Sequence, residues 1–108
     1  MCFEIISGPT VKPDQITKPR TVTVSIRLRG ATLGTATVTC DPGPLGPTQS
    51  RKVTLPTSPS GTSVSFPVQV DAAPGAYVIG VQVDQTGCVS EGLAAGLTVL
   101  VPEPAVKS

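Results

Sequence analysis

Apolar and polar side chains alternate along much of this chain, most clearly over residues 21–29, where Val22, Val24, Ile26 and Leu28 fall on one side and Thr, Ser and Arg on the other. A period of two places successive side chains on opposite faces, so this segment is predicted to be a half-buried strand. The same pattern predicts strands over 35–40 (Ala36, Val38 and Cys40 inward), 51–55 (Val53, Leu55), 63–70 (Val64, Phe66, Val68, Val70) and 76–84 (Tyr77, Ile79, Val81, Val83). Residues 97–101, with Leu97, Val99 and Val101 inward, form the last strand, and residues 3–6 are a seventh candidate. Pro67 falls on the outer face of its strand and has no N–H to donate, which predicts a sheet edge or a bulge there.

Turn residues separate these segments. Pro9, Pro13 and Pro19 fill the first connection, and residues 41–50, with Pro42, Pro44, Pro47, Gly43 and Gly46, read as a stiff extended loop carrying one exposed apolar side chain, Leu45. Residues 57–62 and 84–92 are further loops, Gly92 to Gly96 precede the last strand, and 102–108 read as an extended tail. Short strands without crossover helices predict one antiparallel, all-β sandwich domain over residues 1–101 and exclude a parallel sheet.

Composition agrees: the 108 residues hold 14 Thr and 15 Val, 11 Gly and 12 Pro, but only three aromatics (Phe3, Phe66, Tyr77) and no Trp, His or Asn. The core is therefore expected to be thin and aliphatic. Without His the commonest general base and metal ligand is missing, which argues against an enzyme and against a metal or other cofactor. Asp41, Asp71, Asp84 and Glu91 fall at strand ends or in loops and read as turn residues; no Asp-x-Asp spacing suggests calcium, and a paired-carboxylate glycosidase site is disfavoured.

Net charge is +1, with no cation run longer than Arg51-Lys52, so a nucleic-acid partner is not expected. Arg20, Arg27 and Arg29 read as a solvated strand face. No stretch of 18 apolar residues is present, so no membrane partner is expected, and the first residues lack the basic start and apolar run of a signal peptide. That favours use inside the producing cell over a domain cut from a secreted chain. Cys2, Cys40 and Cys88 are too few and too scattered for a disulfide scaffold or zinc site; Cys40 reads as a small buried hydrophobe, the others as half-exposed thiols, and an odd number leaves at least one free.

Residues 53–101 resemble bacterial and bacteriophage immunoglobulin-like domains, including fibronectin type III-like modules. The resemblance rests on Val53-Thr-Leu-Pro56, Gly61-Thr-Ser63 leading into Val64-Ser-Phe-Pro-Val-Gln-Val70, Ala73-Pro-Gly-Ala-Tyr77 and Leu97-Thr-Val-Leu-Val-Pro102. It implies a seven-stranded immunoglobulin-like antiparallel sandwich, with Tyr77 inward and its hydroxyl near backbone, as in a tyrosine corner. The buried Trp and inter-sheet Cys pair of antibody domains are absent. In the implied topology the first strand begins where the penultimate strand ends, so any disulfide would join Cys2 to Cys88, with Cys40 at the opposite pole.

The function implied is structural: a small protein docking on a larger assembly, such as a decoration or auxiliary protein bound to the major capsid protein of a phage and so located in the virion. The alternative is an adhesive, carbohydrate-binding or spacer module of an extracellular multidomain protein. Contacts to a protein partner are expected from edge strands, from Leu45 with Pro44 and Pro47, and from Phe3 and Val106 near the termini. Leu45→Asp is expected to weaken docking without unfolding the domain.

Overall fold

The computed structural model describes residues 2–101. Its strands are β1 (Phe3–Lys12), β2 (Gln15–Ile16), β3 (Arg20–Gly30), β4 (Gly34–Asp41), β5 (Gln49–Leu55), β6 (Thr62–Val70), β7 (Gly75–Asp84) and β8 (Glu91–Val99), with a single 3-10 turn at Gly43–Leu45. They form a three-stranded sheet, β1-β3-β6, and a five-stranded sheet, β2-β8-β7-β4-β5, in a sandwich-like all-β fold. No helix among the described residues is long and apolar enough to cross a membrane.

Alternation determines which side chains lie between the sheets. Val22, Val24, Ile26 and Leu28 from β3 meet Val38 and Cys40 from β4, Ile79, Val81 and Val83 from β7, and Phe66 from β6, all at most 2% exposed. Burying one such aliphatic side chain contributes about 1.5–3 kcal/mol, against a cost of about 1–2 kcal/mol for ordering each residue's backbone. Among the described residues no charged side chain is buried in the core. Pro67 lies on β6, an edge strand of its sheet, where its missing N–H leaves no ladder bond unmade.

The N-terminal segment departs most from expectation. The strand predicted over 3–6 runs on to Lys12, pairing with β3 through two register shifts, between Ile5 and Ser7 and between Ser7 and Thr10. Gly8 sits within this interruption at φ +87°, where a Cβ would stand 2.8 Å from the Ser25 carbonyl oxygen, so only glycine fits. The chain then changes sheets, and β2 pairs with β8 in parallel through Gln15↔Thr98 and Ile16↔Val99. That short parallel pairing corrects the all-antiparallel expectation. It needs no crossover helix because its two strands lie far apart in sequence.

The last strand is also corrected. It begins at Glu91 and ends at Val99, so Gly92 and Gly96 lie within it and Val101 is 74% exposed instead of inward. Pairing with β7 from Val83↔Glu91 to Gly75↔Val99 draws these small residues into a ladder that their own preferences do not predict.

Candidate functional site

One pole gathers the start of β1 and the β3–β4, β5–β6 and β7–β8 loops. The Ala31 N–H donates to the Cys2 carbonyl at 2.9 Å and the Gly30 N–H to the Pro56 carbonyl at 2.9 Å, tying three of these segments together. Arg27 donates to the Ser60 carbonyl at 2.7 Å, and Arg29 pairs with Glu4 at 2.7 Å. The arginine face is thus partly spent on internal contacts. The β7–β8 loop turns on Cys88 N–H donating to the Gln85 carbonyl at 3.0 Å. The Asp84 carboxylate accepts from Ser90 and Gln82, and these bonds, Ser90 first, hold its pKa below the usual carboxylate value.

Cys2 and Cys88 are bonded as a disulfide, with Cα atoms 6.1 Å apart. They are therefore not the two half-exposed thiols that their scatter suggested. An open cavity of about 400 Å³ borders the disulfide, lined in part by Phe3, Gly87, Val89 and Glu91. At the tips of two loops on this pole stand the large apolar side chains left most open to solvent among the described residues, Leu33 (76% exposed) and Val89 (89%).

The opposite pole behaves differently. The 41–50 connection is not extended: Gly43 N–H caps onto the Asp41 carboxylate at 3.0 Å, Leu45 N–H donates to the Pro42 carbonyl at 3.2 Å, and the resulting turn packs on β6 and β7. Leu45 is 8% exposed, part of the core, which corrects its reading as an exposed contact. Pro44 and Pro47 are exposed there, Phe3 is buried (6%) at the other pole, and Val106 lies outside the described residues. The structure thus does not bring the expected contact residues together: the eight residues of β4 separate the poles by about 25 Å at the usual strand rise.

Leu33 and Val89 escaped sequence reasoning, though a signal was present. Each is a lone aliphatic between turn residues, in Gly30-Ala-Thr-Leu-Gly34 and Gly87-Cys-Val-Ser-Glu91, outside any alternating run. Cys40 sits fully buried in β4, its thiol pKa raised by burial and further by neighbouring Asp41. No three His, Cys, Asp or Glu side chains among the described residues come together as a metal site. The chain matches no protein-family model and no curated protein.

Proposed function

We propose that the chain is a non-enzymatic, immunoglobulin-like interaction protein that docks through its loop pole on a larger assembly, such as the capsid of a phage. The strand order supports the topology: β1, β3 and β6 stand as strands A, B and E, and β4, β5, β7 and β8 as C, C′, F and G, with β2 continuing the first strand into the second sheet. Tyr77 supports it independently. Its hydroxyl donates to the Ala73 carbonyl at 2.5 Å, the bond of a tyrosine corner at the start of strand F.

The observation that carries docking is the pair of exposed aliphatic tips, Leu33 and Val89, held on two loops of one rigid pole. The sheet edges are poor alternatives: β6 carries Pro67, β2 has two residues, β1 is interrupted in register, and β5 carries Arg51 and Lys52. Arg51 also lies over the Phe66 ring at 5.4 Å, an inward-pointing charge on the β5 edge strand of the kind that disfavours pairing with another strand.

Gradient fractionation of particles from producing cells tests the reading. The wild-type chain should sediment with them, and Leu33→Asp/Val89→Asp should lose about tenfold or more in occupancy while staying folded. Equal occupancy of the double variant would remove the pole from the interface, and a chain found only at its own size would end the docking proposal.

The Cys2–Cys88 disulfide favours a second reading, an extracellular module of a larger protein, because such bonds persist mainly outside the reducing cytosol. Trapping thiols at cell lysis separates the two, since an intracellular pool would carry three free cysteines and an exported one only Cys40.

A further inference from the structure

The disulfide joins two segments that are otherwise weakly tied to the domain. Between Cys2 and the first register shift of β1 lie only three ladder positions, Phe3↔Gly30, Glu4↔Arg29 and Ile5↔Leu28, supplemented by the Ala31 N–H bond to the Cys2 carbonyl, the burial of Phe3 and the exposed Glu4–Arg29 ion pair. An exposed pair of this kind adds little. The loop that carries Cys88 is held by one turn bond and by the Ser90–Asp84 contact. Neither cysteine belongs to the fully buried core; both are partly buried, pack against its margin and line an open cavity.

Cys40 is 0% exposed and lies near the far end of β4, so it is placed neither to attack the bond nor to receive a sulfur from it. The molecule therefore carries one addressable redox pair. Segments with few buried contacts open at low free-energy cost without the rest of a domain unfolding.

We propose that the Cys2–Cys88 disulfide is a redox lock on the loop pole, which small thiols open in the folded protein to release residues 2–5 and the β7–β8 loop while the remaining sheets stay intact. One reductant thiolate attacks a protein sulfur, forming a mixed disulfide and freeing the other cysteine; a second reductant thiolate then attacks the reductant sulfur of that mixed disulfide, forming the reductant disulfide and expelling the remaining cysteine as a thiolate that takes up a proton. In sum, the protein disulfide and two reductant thiols give two cysteine thiols and one reductant disulfide. The protein gains two electrons and two protons. Release takes Phe3 from its seat and leaves Leu28 to Gly30 of β3 as an unpaired edge, the arrangement that accepts an added strand. The lock stands whether or not Leu33 and Val89 dock.

The test treats the folded chain with graded dithiothreitol, traps thiols with N-ethylmaleimide, and reads adducts and amide exchange by mass spectrometry. Expected are adducts on Cys2 and Cys88 but not Cys40, exchange about tenfold or more faster in residues 3–5 and 85–91, and unchanged protection in β4 and β6. Resistance to reduction without denaturant would overturn the lock, as would unchanged exchange at the pole. Uniform loss of protection, with Cys40 labelled, would make the bond a structural staple and also overturn it. Cys2→Ser/Cys88→Ser should show the reduced pattern with no reductant present; if that variant fails to fold, the wild-type titration decides alone.

Discussion

The two poles of this domain each carry aliphatic side chains in turn-rich sequence, and they treat them in opposite ways. At one, the Asp41 carboxylate and the Pro42 carbonyl capture backbone N–H groups, the loop coils, and Leu45 is driven onto β6 and β7. At the other, the β3–β4 connection is three residues long and leaves no slack to fold Leu33 back over the core, while Val89 follows a cysteine pinned to the chain's start. A long loop with its own hydrogen bonds buries its apolar residue; a short or tethered loop presents it. Composition alone does not separate these outcomes, because Gly and Pro mark a turn without saying what the turn covers.

Substitution at matched positions breaks the comparison most directly. Leu45→Asp places an unpaired carboxylate in a nearly closed apolar site and should cost about 3 kcal/mol, readable as a lower denaturant midpoint at unchanged slope. Leu33→Asp and Val89→Asp should each stay within about 0.5 kcal/mol of wild type, as surface changes do. Equal costs at the two poles would mean that the loops are not the distinct structures described. The same numbers reverse the sequence-based expectation that Leu45→Asp leaves the domain folded.

This contrast also marks how far the sequence was legible. Period-two alternation identified the inward faces of β3, β4, β6 and β7, and the missing N–H of Pro67 narrowed β6 to an edge or a bulge, of which the edge is found, because both signals are local. The register of β1, the sheet change into β2 and the start of β8 at Glu91 depend on which strand lies alongside, and residues 7–19 and 91–96 carry no local mark of that neighbour. The site suffered from the same limit. Leu45 was read from its Pro-Gly surroundings, whereas its burial comes from contacts with β6 and β7, distant in sequence.

A smaller effect sharpens the comparison at the corner leading into β7. Tyr77→Phe removes only the hydroxyl that bonds Ala73 and leaves the ring half-buried, so a loss of about 1 kcal/mol is expected, with faster amide exchange confined to residues 71–75. No measurable loss would withdraw this bond as support for the strand assignment. Exchange spreading into the β7–β8 loop would show that the two poles are coupled, against their description as separate structures.

The smallest effect belongs to the loop pole and depends on pH. The Asp84 carboxylate, bonded by Ser90 and Gln82, has a folded pKa below its unfolded one, so the charged form favours folding. Its contribution is fully present above the unfolded carboxylate value and is lost as pH falls through the lowered one. Asp84→Asn keeps the shape and removes the titration, so the wild-type advantage over this variant should hold at neutral pH and shrink on acidification, with the β7–β8 loop losing exchange protection first. Because the carboxylate is solvent-exposed, the difference in melting temperature should be small and should narrow further with salt. An advantage that grew as the pH fell would reverse the sign of this linkage and show that the Asp84 carboxylate does not order the loop presenting Val89.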